Sequence, residues 1–291
     1  MNNVKTAVLL ALMTGLLMVI GQLVAGRTGL LTMFVISMAM NIISYWNSDK
    51  IVLSMYKAQP VDPSNNPTLY NMVARLAQNG GLPMPKVYVI DSNVPNAFAT
   101  GRNPEHGAVA VTTGIMDLLT DDEIEGVLAH ELTHIKHRDT LISTIAATLA
   151  GVITMIANMM QMFAIFGRSD DRDGGNNPIV MLATIILAPI AAALIQMAIS
   201  RSREYLADEG GAMMSGKPLS LASALAKIDY YSKYGALPAG NSQMETTSHM
   251  FIINPLSHLK GGMSNLFSTH PSTESRIEQL KQIASRMPVR S

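Results

Sequence analysis

Two uncharged runs at the start of the chain limit its possible folds more than any motif does. Residues 6–26 and 28–48 contain no Asp, Glu, Lys, Arg or His, and only Arg27 separates them. Each run is 21 residues long, and a helix needs about 20 predominantly apolar residues to cross the hydrocarbon core of a bilayer. A secretory signal segment has a shorter apolar stretch and is not followed at once by a second full-length run, so the pair reads as a membrane hairpin. Residues 140–167 and 178–200 form a second uncharged pair, joined by "RSDDRDGGNN", whose Gly and Asp content suits an exposed turn. Pro189 is expected to kink the last run. Because this pair is rich in Ala, Thr and Met, buried core helices are the alternative to spans. With 48% hydrophobic and only 14% charged residues, the 291-residue chain is too apolar for an ordinary soluble two-domain protein.

Charge placement sets an expected orientation. If all four runs cross, Lys5, Lys50, Lys57, Lys136, Arg138, Arg201 and Arg203 flank one side, and Arg27, Arg168 and Arg172 the other. The richer side is the cytoplasmic one, so both termini and both polar segments are expected there. Lys plus Arg equals Asp plus Glu at 21 each, so the overall balance gives no sign of a nucleic-acid partner. The absence of Cys removes disulfides and thiol chemistry. The 22 Met residues read as adaptable packing.

The first polar segment has the pieces of an α/β module. "PTLYNMVARLAQNGG" has helical spacing at Leu69, Met72, Val73 and Leu76 and ends on Gly80 and Gly81. "KVYVI" and "GAVAV" read as short strands, and "NAFATG" between them as a third. "TDDEIEGVLAHELTHIKHRD" starts a helix at about residue 121, with Thr120 and Glu123 as a capping box and Asp121 and Asp122 at the positive end of the dipole.

On that helix His130 and His134 lie one turn apart on one face, with Glu131 beside them. Two imidazoles so placed can reach one zinc ion. A catalytic zinc site takes three protein ligands and keeps a position open, whereas a structural site closes with four, typically including Cys. The bare H-E-x-x-H pattern also arises on ordinary exposed helices, so the third ligand decides. The metzincin continuation fails, because His137 stands where its Gly belongs and Thr140 where its third His belongs. "SRSREYLADEGG" places Glu204 and Asp208 four apart on one helix face; a solvated surface helix with charge pairs is the plainer alternative. His137 competes as a ligand. If one helix runs on from residue 130 past a membrane boundary near Thr140, His130 stands about 15 Å and His134 about 9 Å above that boundary, and Glu204 about 6 Å. These heights favour Glu204, brought alongside by an antiparallel neighbour.

"HELTH", "SREYLAD", "NAFATG" and the C-terminal "STHPSTESRIEQL", in this order, resemble the HtpX-type integral-membrane zinc metalloproteases, relatives of the CAAX prenyl proteases within the gluzincin class. The likeness spans essentially the whole chain. It implies His130, His134 and Glu204 as ligands of one zinc ion per chain and Glu131 as general base. It implies that Asn96, Ala97, Phe98, Ala99 and Thr100 form an edge strand pairing with the substrate backbone. It also implies a role in quality control of bacterial inner-membrane proteins. The expected fold is an α/β (α+β) zincin-like metalloprotease domain, mainly helical with a small sheet, fused to four transmembrane helices in two hairpins. The expected divisions are 1–48, 49–139, 140–200 and 201–291, with the catalytic domain and both termini cytoplasmic. Polypeptides, membrane proteins among them, and the lipid bilayer are the expected partners. The unusual residue for this likeness is His137.

Zinc lowers the pKa of a water it holds to about 7, so Glu131 can take a proton as the peptide carbonyl is attacked and pass it to the departing amine. Pro271 marks a helix start, and His270 at its mouth is a candidate for stabilising the oxyanion. Arg276 either holds a carboxylate of the site or pairs with a surface Glu. Asp208 is read as holding a ligand imidazole in the right tautomer. Two alternatives share these residues: a CAAX-type processing protease, which usually needs an enclosed multi-span chamber, and a non-catalytic zinc-binding membrane protein, which has no use for Glu131.

Overall fold

Gly26 turns the chain back on itself. The N-terminal helix α1 (Asn2–Trp46) is broken at Ala25 and Gly26, where φ is +60° at the glycine, a conformation that costs a glycine little. The structure is a computed structural model that describes residues 2–166, 200–234, 250–253 and 271–287. The two limbs of α1 touch at Gly21 and Gly29, where a Cβ on either would collide with the other's backbone carbonyl. Asn41 Nδ2 donates to Thr14 Oγ1 at 2.9 Å and to the Leu10 carbonyl at 3.3 Å, closing the hairpin with polar bonds. Val4–Gln22 and Ala25–Trp46 have mean hydropathies of 2.1 and 1.5 and are long enough to span a bilayer.

Beyond α1 come α2 (Ser48–Met55), β1 (Gln59–Val61), α3 (Pro67–Gly80), β2 (Lys86–Ile90), β3 (Ala97–Thr100) and β4 (Ala108–Thr112). Then follow α4 (Thr113–Leu118), α5 (Asp121–Lys136), α6 (Thr140–Phe166), α7 (Arg201–Ser215), α8 (Pro218–Tyr234) and α9 (Thr273–Arg286). The sheet order is β1-β2-β4-β3. Strands β2 and β4 are parallel, and both outer pairs are antiparallel. Among the described residues strand β3 pairs with β4 alone, from Ala97 opposite Val111 to Thr100 opposite Ala108, which makes it an edge. Strand β1 was not expected: its three residues are largely exposed and carry no alternation to read.

The helix expected from Leu69, Met72, Val73 and Leu76 is α3, and all four are buried. Asn66 caps it, accepting from Leu69 N–H at 3.1 Å, and Gly81 ends it at φ +65°. Helix α5 begins at Asp121, and Thr120 N–H donates to the Glu123 carboxylate at 2.8 Å. Glu123 also accepts from Lys227 and Ser223 of α8, and Lys217 bridges Asp122 and Glu125, so the acidic first turn ties α5 to its neighbours. Leu128 and Leu132 of α5 are fully buried with Leu76, Leu225 and Leu280 in one core. Each such side chain contributes about 1.5–3 kcal/mol relative to exposure.

One expectation needs correction. Helix α5 does not run unbroken into the apolar segment: it ends at Lys136, Arg138 takes φ +59°, and α6 starts afresh at Thr140. A left-handed residue cannot continue a right-handed helix, so heights measured along one straight axis do not hold. Among the described residues two segments are long and apolar enough to span a bilayer, both limbs of α1. The first turns of α6 pack Ile142, Ile145 and Leu149 against Leu9, Met13 and Leu17 of the hairpin. The run 178–200 lies, but for its last residue, outside the described residues.

Candidate active site

Helix α5 supplies His130 and His134, whose rings meet edge to face with centroids 4.8 Å apart. Helix α7 lies against it because its small residues permit a close approach: a Cβ at Gly211 would stand 2.8 Å from His130 N, and one at Gly210 would strike the Thr133 side chain. Seven residues before Gly211, two turns along α7 and on the same side, is Glu204. Its carboxylate stands 3.8 Å from His130 Nε2 and 3.6 Å from His134 Nε2, and the two Nε2 atoms are 3.2 Å apart.

These three donors lie within 4.8 Å of one another and form the group among the described residues that could hold a metal ion. A tetrahedral ion about 2.0–2.1 Å from each nitrogen would separate the nitrogens by about 3.3 Å, so the imidazole spacing fits. The Nδ1 atoms are occupied elsewhere. His130 Nδ1 is 2.9 Å from Asp208 Oδ1, and His134 Nδ1 is 3.3 Å from Asp139 Oδ2. A carboxylate at Nδ1 favours the proton there and leaves the Nε2 lone pair for a ligand contact. Asp208 is itself gripped by Arg276, which donates from Nε and Nη2 at 2.7 Å each and from Nη1 to the Ile252 carbonyl at 2.8 Å. Arg276 therefore holds a carboxylate of the site, is 1% exposed, and also stands 3.5 Å from Glu204.

Glu131 is buried beside the triad and accepts from Ala99 N–H of the edge strand at 2.9 Å. Burial pushes its carboxyl up to about 8, and the Glu204 charge adds to this against His134, the Ala99 N–H and Arg276. At His134 burial works downward, but the Asp139 hydrogen bond and the Glu204 and Glu131 charges outweigh it and raise the ring to about 9. Burial holds His130 below its usual value despite Asp208. Burial would raise Asp208, yet the Arg276 guanidinium keeps it below the usual carboxylate range. The pocket is one in which charge is balanced pair by pair.

The structure thus brings together His130, Glu131, His134, Glu204, Asp208 and Arg276. His137 is exposed at the end of α5 and lines a separate cavity of about 180 Å³ with Lys136, Gly210 and Met213, away from the triad. Ala97, Phe98, Ala99 and Thr100 form β3, buried, with Asn96 just before it. Among the described residues nothing hydrogen-bonds the buried Asn96 Oδ1. His270 lies outside the described residues. Asp139 was missed: its only signal is its place directly before an apolar run, five residues after His134.

An H-E-x-x-H helix crossed by a second helix that carries a distant Glu to both imidazoles defines a metalloprotease. The chain belongs to peptidase family M48, whose model matches residues 63–284. It is 55% identical over 284 residues to a protease HtpX homolog of Paraburkholderia phytofirmans, covering 97% of each chain. A protease HtpX homolog of Desulforapulum autotrophicum is 53% identical over 282 residues, 96% of this chain and 89% of that one. Among solved structures, S. mikatae Ste24p matches with a TM-score of 0.46 and 22% identity, over 84% of this chain and 57% of that one. The protein is a membrane-associated metalloprotease.

Proposed function

We propose that the protein is a zinc-dependent endopeptidase holding one Zn²⁺ per chain on His130, His134 and Glu204. The observation that carries this reading is the convergence of both Nε2 atoms and the Glu204 carboxylate while both Nδ1 atoms face carboxylates. Bound there, zinc would supply Lewis acidity and a more acidic water. Glu131 acts as general base and then as acid to the departing amine. Its carboxyl is buried next to the donors, and a group raised toward neutrality is suited to carry a proton both ways. Asp208 and Arg276 keep the His130 ring aimed. His270, three residues before α9 in the sequence, is proposed as the oxyanion donor.

Substrate would add as a strand to the side of β3 away from β4, at Asn96 to Thr100. Two features support this: β3 is an edge strand, and the Ala99 N–H points from it to the Glu131 carboxylate. Main-chain pairing of this kind gives little sequence selectivity, which suits proteolysis of misfolded or damaged membrane proteins. The hairpin of α1 and the excess of Lys and Arg on one side support a multi-pass protein of the bacterial inner membrane. In this reading the second pair of apolar runs also crosses, and the site and both termini are cytoplasmic.

The test is zinc content per chain and cleavage of an unfolded protein by the detergent-purified wild type, Glu204→Ala and His137→Ala. One zinc in wild type and His137→Ala, with zinc and activity lost in Glu204→Ala, is expected. Zinc retained in Glu204→Ala but lost in His137→Ala would place the third ligand on the wrong residue.

A further inference from the structure

The two imidazoles of the triad are backed in the same way, and only the backing by Asp208 was read from the sequence. Behind His130 stand Asp208 and then Arg276, whose Nη1 reaches within 3.5 Å of Glu204. Behind His134 stand Asp139 at 3.3 Å and then Arg203, whose Nη1 is 3.5 Å from the other Asp139 oxygen. Arg203 immediately precedes Glu204. Each ring is thus held in an imidazole–carboxylate–guanidinium chain that returns to the third donor.

The backbone explains how Asp139 gets there. Helix α5 ends two residues after His134, so the helix alone packs this ring less than His130, which is 1% exposed. Arg138 at φ +59° then breaks the helix, and Asp139 N–H donates to the His134 carbonyl at 2.9 Å. A non-glycine residue in the left-handed region is uncommon. Here it swings the Asp139 side chain back along the helix end, where the residue is 6% exposed.

We infer that Asp139, braced by Arg203, is a positioning residue for His134: it accepts the Nδ1 proton and aims Nε2 at the shared point. The inference rests on the proposed metal centre. It also places the control of one ligand at the residue directly before the apolar helix α6, so the ring's aim is set where that helix joins the domain.

The test uses full-length protein in detergent, with Zn²⁺ titrated against a chromophoric chelator and the visible spectrum of Co²⁺ recorded in its place. Asp139→Ser keeps a residue that starts a helix well but is too short to reach the ring, whereas Asp139→Asn keeps an oxygen that accepts the same bond. Loss of such a hydrogen bond typically weakens metal binding about 10- to 100-fold. That loss is expected for Asp139→Ser, with an altered Co²⁺ band and a metal-free unfolding temperature matching that of Asp139→Asn, which loses the same charge, while Asp139→Asn restores most of the affinity. Wild-type affinity in Asp139→Ser, or an equal loss in Asp139→Asn, would overturn the inference. Glu204→Gln measured alongside separates the two levels. If it loses the ion while Asp139→Ser keeps it, only this inference fails; if it binds like wild type, the metal centre itself fails and the inference with it.

Discussion

Replacing Gly211 by Ala should destabilise the protein, although alanine is the better helix former. The added Cβ would stand 2.8 Å from His130 N, 3.0 Å from its Cα and 3.2 Å from the Ala129 carbonyl carbon. All three are backbone atoms of α5, which cannot rotate aside as a side chain tip can. Ordinary contact begins at about 3.5 Å, so α7 must retreat by roughly 0.7 Å. Overpacking costs about 1–3 kcal/mol, and the rigid obstacle puts this site toward the upper end. Helix propensity returns about 1 kcal/mol, which leaves a net loss of about 2 kcal/mol. At about 2–4 °C per kcal/mol, known for chains of 150–250 residues, the unfolding temperature should fall by roughly 4–8 °C. Glu204 moves with α7, and a misplacement approaching 1 Å can cost about 100-fold in turnover. Thermal unfolding and proteolysis of Gly211→Ala are compared with Gly151→Ala, where the nearest atom, Met55 Cε, is 4.0 Å away and no loss is expected. A Gly211→Ala protein that unfolds at or above the wild-type temperature would show that close approach of α5 and α7 does not build the site.

Arg276→Ala leaves the fully buried Asp208 charge without its guanidinium, so it should cost about 3–5 kcal/mol in thermal or denaturant unfolding; a loss below about 1 kcal/mol would mean the pair is solvated. Zinc affinity should rise with pH. The His134 proton, held up to about 9, must leave before Nε2 can bind, so affinity gains about tenfold per pH unit below 9 and levels off above it. His130 is held below its usual value and adds no proton at neutral pH, and Glu131, which is not a ligand, need not lose its own for the ion to bind. Chelator competition between pH 6 and 10 measures the slope, and a flat profile would contradict these proton assignments.

The parts of the site legible in the sequence are those built from local rules. The capping pair Thr120 and Glu123 marked the start of α5, and four-residue spacing put His130 with His134 and Glu204 with Asp208. A third strand was legible in "NAFATG", bounded by Pro95 and Gly101, and its place at the edge was implied by the resemblance. What failed depended on tertiary context. Nothing local forces Arg138 into the left-handed region, so the break between α5 and α6 was hidden, and with it the return of Asp139 to His134. The resemblance and approximate heights pointed to Glu204, but the reason it arrives is the Gly210–Gly211 contact with Thr133 and His130, which a spacing pattern does not contain. Strand β1 is three residues long and exists because β2 offers it an edge.

The central claim is that Glu131 does chemistry and holds no metal, and Glu131→Gln tests it directly. The substitution keeps size and an amide that can sit at the Ala99 N–H, but removes the group that takes the proton. Zinc per chain and cleavage of an unfolded protein substrate are measured on the same preparations. Full zinc occupancy with hydrolysis reduced at least about 100-fold is the predicted result. A zinc-loaded Glu131→Gln protein that cleaves at the wild-type rate would contradict the account.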